Sequence, residues 1–311
     1  MSRLLTPKVL LPVLICIAIL VALSLLVPRV ALPAIEIPAE EVFQLFGFPI
    51  TNTLIASWLA MLILILLSYF GTRHMKLVPS GLQNLLEMVV EGFFGLVEDV
   101  AGARWARKFF PIVMTIFLFV IVSNWMGILP LYGSIGWLHE AHGDMTGYEI
   151  QEIGGNAAIL TGQEAEHGHG YVLVPFFRSA ATDLNMTLAL ALISVGLTQY
   201  FGIRALGLKY FTKFIIIDFS HGAFEGFVNL FVGILELISE FAKIISFTFR
   251  LFGNIFAGEV LLGVIAFLIP YIVSLPFYGL ELFVGFVQAL VFMMLTLVFF
   301  ALATLGHGEA H

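Results

Sequence analysis

The sequence predicts an all-α integral membrane protein of about five to six membrane helices, including a long, strongly tilted C-terminal helical hairpin and an in-plane amphipathic helix. Three observations carry this. Hydrophobic residues make up 60% of the 311 and charged residues only 11%, whereas a soluble domain carries about 25% charged residues. Apolar runs long enough to span occur at roughly 9–27, 51–71, 109–131 and 184–203, with two longer ones at 222–268 and 271–303. Lys and Arg also sort by side, and that bias fixes orientation. Arg3, Lys8, Arg73, Lys76, Arg104, Arg107, Lys108, Arg204, Lys209 and Lys213 fall on one side, expected to be cytoplasmic, with Arg29 and Arg178 opposite and Lys243 and Arg250 inside the membrane.

Taken in order, residues 1–50 form an N-terminal hydrophobic segment with an outer linker, and 51–311 form one membrane domain. The first run reads as a retained span. A cleaved leader is the alternative, but Val27-Pro28-Arg29-Val30-Ala31 lacks the small residues a cleavage site needs. Cys16, the single cysteine, reads as inert core and permits no intrachain disulfide. Over 80–102, Asn84, Glu87, Glu91 and Glu98 form one polar stripe at helical period, with Leu85, Leu86, Val89, Val90, Phe93 and Leu96 elsewhere around the helix, which predicts the in-plane cytoplasmic helix or a partner-docking surface.

Residues 132–178 read as a long outward acidic loop. Its His139-Glu140-Ala141-His142 and His167-Gly168-His169 do not have the spacing of a zinc protease helix. Incidental histidines on a solvated loop are the plain reading, with weak metal binding or proton collection as the alternative. Asp183 and Asn185 then open the next span as a helix start, placed also to serve as an aqueous mouth. The last two runs would extend ~70 Å and ~50 Å as helices against a hydrocarbon core of ~30 Å, so they must tilt or bend. Pro270 separates them and Pro276 is expected to bend the start of the second.

Arg250 is the costly residue. An arginine at the centre of a membrane helix costs roughly 2.5 to 3.5 kcal/mol on insertion scales, which makes it a functional candidate. At ~100° per residue, Glu236, Glu240, Lys243, Arg250 and Asn254 share one stripe, interrupted at Phe247. Ser239, Ala242, Ser246, Gly253 and Ala257 flank it with small residues that admit a close neighbour. Glu259, nine residues beyond Arg250, falls on the opposite face. In the next helix Glu281 and Gln288 share a face, and a hairpin sets Glu281 level with Glu259 and Gln288 level with Arg250. Straight helices cannot make both contacts, so the expectation is a twist near Gly253 and Gly258 or one contact of the two. A carboxylate pair meeting in low dielectric is able to hold a proton; structural pairing is the plain alternative.

The string Phe249-Arg250-Leu251-Phe252-Gly253-Asn254-Ile255-Phe256-Ala257-Gly258-Glu259 resembles the signature of subunit a of the F-type ATP synthases. Asn124 in Val122-Ser123-Asn124-Trp125, Asp183-Leu184-Asn185 and Gln288-Ala289-Leu290 follow in that family's order, so the resemblance covers about 51–303. It implies a stator channel of the F0 sector with two offset proton half-channels against a rotating ring of c subunits. Arg250 matches the arginine that faces the ring carboxylates, Glu259 and Glu281 the outer relay, Asp183 its mouth and Gln288 the arginine's neighbour. Glu236 and Ser246 match polar positions on the same helix, Glu236 toward the cytoplasmic exit, and Asn254 lies within the signature. Implied partners are the c ring, the b subunits of the peripheral stalk, the other subunits of the complex and the lipid bilayer. The implied place is a bacterial inner membrane, with the C-terminus cytoplasmic. Two acids at Glu259 and Glu281, where relatives often pair Glu with His, leave proton and sodium both open.

The alternative reading, an ion-coupled secondary transporter, predicts an internal repeat that the sequence lacks. A metalloenzyme built on the His-containing loop would need ligands at fixed spacing. No glycine-rich nucleotide loop or nucleophile motif is present, so no cofactor, metal or nucleic-acid partner is expected, and nucleotide chemistry falls to other subunits.

Overall fold

A computed structural model describes residues 37–129, 132–141, 147–154, 157–165, 170–214, 223–268 and 274–305. The first hydrophobic segment, Pro270, His142, His167 and His169 lie outside them. Five helices in this set are long and apolar enough to cross a membrane.

A two-stranded hairpin comes first, β1 (Glu41–Leu45) and β2 (Phe48–Thr51). Its turn places Phe46 and Gly47 both at positive φ, the geometry that matches the twist of paired strands. Helix α1 (Asn52–Thr72) follows, capped by Thr51, whose hydroxyl accepts from the Leu54 amide. Thr53, Ala56, Ser57 and Ala60 are buried while Met61, Leu62, Ile65 and Leu66 are exposed. A small-residue seam therefore faces protein and a bulky apolar face is left for lipid.

Helix α2 (Leu82–Gly127) leaves helical geometry at Gly102, φ 72° and ψ 157°. A continuous helix would put Phe93 and Phe117 about 36 Å apart, yet their rings lie 4.4 Å apart, and those of Phe94 and Phe110 5.3 Å. The chain doubles back at Gly102, where the missing Cβ permits the positive φ. The amphipathic segment expected over 80–102 is the arm that leads into this reversal. Val97 is fully buried with Phe93 and Phe94 packed on the core, while Leu85 and Met88 stay exposed.

The loop between α2 and the next long helix is more ordered than its composition indicates. It carries strands β3 (Gly136–Glu140), β4 (Tyr148–Gly154), β5 (Ala157–Glu164) and β6 (Tyr171–Pro175), in the order β3-β6-β4-β5 and antiparallel throughout. Trp137 opposite Val174 and Ile150 opposite Leu160 are among its cross-strand pairs, the contacts that stabilise a sheet.

Helix α3 (Leu184–Leu206) starts at Asp183, whose carboxylate accepts from the Asn185 amide at 2.8 Å. It ends in a 3-10 turn over Gly207–Lys213. The final hairpin is α4 (Ala223–Leu268), 46 residues, and α5 (Leu275–Thr304), 30 residues. At ~1.5 Å per residue these run ~69 Å and ~45 Å, beyond the ~30 Å hydrocarbon core, so upright crossing within it is ruled out for both. Pro276 does not bend α5: it sits in the first turn, where its absent N–H has no partner to lose. Phe109 of α2 packs edge-on against Phe201 of α3 and Phe300 of α5, with centroids 4.9 and 5.3 Å away. Phe247 of α4 meets Phe292 of α5 at 4.8 Å, which closes the core beside the charged stripe.

Candidate functional site

The polar groups gather along one face of α5. Glu281, Gly285 and Gln288, at steps of four and three, are all buried and form a single row. Each meets a different neighbour. An added Cβ on Gly258 of α4 would fall on the Glu281 carboxylate, so that glycine makes the room Glu281 occupies. The amide of Asn124, from α2, donates to the Gly285 carbonyl at 3.1 Å, and the Trp125 indole donates to the Leu282 carbonyl at 3.1 Å. Asn254 Nδ2 donates to Gln288 Oε1 at 2.7 Å.

Gln288 is thus one helical turn from the place the hairpin arithmetic gave it: its partner is Asn254, not Arg250. Helix α4 remains unbroken through Gly253 and Gly258, so no twist rotates Arg250 onto α5. Arg250 donates to Ser246 Oγ at 3.2 Å, and among the described residues no carboxylate pairs with it. It is half-buried, and Ser239, Ala242, Ser246 and Ala257 around it are exposed. Among the described residues, no helix covers these four small positions.

Glu259 is held from outside the hairpin. Arg178, with 8% of its side chain exposed, donates through Nε to both carboxylate oxygens, at 3.0 and 3.3 Å, while the Glu259 side chain is 42% exposed. The same guanidinium reaches the Pro38 carbonyl at 3.4 Å and lies over the Phe256 ring. The two acids therefore do not sit as an isolated pair, because one has its own cation. Asp183 accepts from the Thr53 hydroxyl at 2.8 Å in addition to capping α3, so the capping and site readings both apply to it. Asn185 at the same helix start is exposed.

At the other end of α4, Glu240 accepts from Lys213 at 2.9 Å and Lys243 at 3.0 Å on one oxygen, and from Gln199 at 2.8 Å on the other. Tyr210 donates to Gln199 at 2.7 Å. Glu236 lies at the edge of this cluster, 4.0 Å from Lys213. Lys213 and Lys243 are closed onto one carboxylate, whose two oxygens satisfy donors from α3, the 3-10 turn and α4 itself. Sequence reasoning gave no site role to Arg178, Thr53 or the Asn124 contact. Arg178 left one signal: it is a rare cation on the sparsely charged side, five residues before Asp183.

The family described as ATP synthase A chain matches residues 54–301. The chain is 31% identical over 291 residues to ATP synthase subunit a of Gloeobacter violaceus, covering 93% of this chain and 99% of that one. Against ATP synthase subunit a of Moorella thermoacetica it is 28% identical over 267 residues, covering 86% and 97%. Against that of Campylobacter jejuni strain RM1221 it is 34% identical over 254 residues, covering 80% and 89%. With its membrane-length helices and a match across most of its length, this multi-pass membrane chain belongs to the ATP synthase A chain family.

Proposed function

We propose that this chain is the stator subunit of an F0 sector, forming two offset proton half-channels against a rotating c ring and coupling proton flow to ATP synthesis. The observation that carries it is Arg250: a cation deep in an apolar helix, with no carboxylate partner among the described residues and an uncovered small-residue flank. A charge left unpaired at membrane depth is expensive, so its counter-charge comes from a partner that packs closely on that flank. A ring of helices each bearing a carboxylate fits. The guanidinium stays charged because its pKa exceeds roughly 12, so it attracts each arriving carboxylate without itself handing a proton across. One charge crossing ~100 mV is worth ~2.3 kcal/mol, and a leak past Arg250 would dissipate it.

In this reading Asp183 forms the outer mouth, Glu259 and Glu281 the outer relay, and Gln288 and Asn254 the approach to Arg250. Ser246 orients the guanidinium, and Glu236 lies toward the cytoplasmic exit. In this reading the C-terminus lies in the cytoplasm, on the side where Lys213 and the other basic residues gather, and the b subunits complete the stator. The test is Arg250→Ala in the whole complex reconstituted in vesicles. ATP-driven proton uptake and ATP synthesis are expected to vanish while passive proton leak persists. Normal coupled synthesis would overturn the assignment.

A further inference from the structure

We propose that Glu240 is a positioning residue: it holds Lys243 away from the small-residue flank, so that of the two cations on that stripe only Arg250 meets the ring carboxylates. The inference rests on the stator reading above and deepens it. Glu240 is 7% exposed within an apolar helix, where a carboxylate is costly and marks a function by default. The proton path assigned above does not use it.

The charges around Glu240 balance. Lys213 Nζ reaches Glu240 Oε1 at 2.9 Å and stands 4.0 Å from Glu236, and Lys243 Nζ reaches the same Glu240 oxygen at 3.0 Å. Two ammonium groups thus face two carboxylates. The other elements packed on the cluster bring Gln199 of α3, Tyr210 of the 3-10 turn and the Phe299 ring of α5, whose centroid lies 4.8 Å from the Lys243 ammonium. An added Cβ on Gly202 would strike the Tyr210 ring, so the turn that carries Lys213 is seated closely on α3.

Lys243 comes seven residues before Arg250, two turns and about 10 Å along the same stripe. Ser239 and Ser246, both exposed, lie within ~60° of it around the helix. A flexible four-carbon stem spans that arc. Held by Glu240, the ammonium is turned toward Phe299; released, it swings onto the flank and competes with Arg250 for each ring carboxylate. Glu236 still balances Lys213 in that case, so neutralising Glu240 frees one cation, and that cation is Lys243.

The test is ATP-driven proton uptake by the intact complex in vesicles with the cytoplasmic face outward, recorded against bath pH. Glu240→Gln keeps the shape of the side chain and removes its charge. A cation about 10 Å from a ring carboxylate, at an effective dielectric constant of about 20, favours the ionised form by about one pH unit. Uptake in assembled Glu240→Gln should therefore fail about one unit lower on the alkaline side than in wild type, because the ring carboxylate then needs a more acidic bath to take its proton. The same nucleotide-bearing subunits serve every variant, so a shift between profiles belongs to this chain. Adding Lys243→Gln should return the alkaline limb to its wild-type position, and Glu240→Asp, which keeps the charge, should leave it there. An unmoved limb in Glu240→Gln would overturn the inference. So would a shift that Lys243→Gln does not reverse, or one as large in Glu240→Asp, since either is the mark of a packing defect. Arg250→Ala separates the two levels: coupled synthesis in that variant sinks the stator reading, whereas an unmoved limb in Glu240→Gln beside an uncoupled Arg250→Ala sinks the role of Glu240 alone.

Discussion

The Arg178–Glu259 pair makes an asymmetric prediction. Its two ends differ in exposure, 8% for the Arg178 side chain and 42% for Glu259. Replacing Glu259 by Gln leaves a nearly buried guanidinium without a counter-charge, with only neutral partners in the new amide, the Pro38 carbonyl and the Phe256 ring. Breaking a fully buried pair costs about 3–5 kcal/mol, and water relieves part of this, so a loss of about 2–3 kcal/mol is expected. Replacing Arg178 by Met leaves a carboxylate that water already reaches, for which about 1 kcal/mol follows from exposed-pair values. The double variant strands no charge and should be less destabilised than Glu259→Gln alone. A double-mutant cycle on thermal unfolding of the detergent-solubilised complex measures this directly. Additive losses, or a larger loss for Arg178→Met, would show that the pair does not carry the geometry assigned to it.

Two further variants probe single glycines. Gly258→Ala places a Cβ on the Glu281 carboxylate while favouring the helix. Outer proton flux in vesicles should fall tenfold to about a hundredfold, as expected for a displaced transfer group, and unchanged flux would remove Glu281 from the path. Gly102→Ala forces a Cβ into positive φ and should lower stability by about 1–2 kcal/mol, read as a drop in unfolding midpoint. No drop would mean that the reversal at 102 does not depend on glycine.

The sequence by itself determined the solvent and the faces. Hydropathy and length set the helices in the bilayer, because unpaired backbone groups are not tolerated there. The helical period then fixed that Arg250, Asn254 and the small flank lie together and that Glu259 points away, a relation internal to one helix. The Gly, Glu and His content of 132–178 masked the short runs Tyr171-Val172-Leu173-Val174 and Ala158-Ile159-Leu160, whose strand character depends on pairing across the sheet. Tertiary structure alone decided which residue of one element meets which of another. Arg178 reaches Glu259 across 81 residues, Asn124 reaches Gly285 across 161, and Gln288 takes Asn254 in preference to Arg250. Such partners follow from the rotation and axial offset of whole helices. Those are set by how Phe109, Phe247 and the other core side chains interdigitate, and no periodicity within a single helix encodes them.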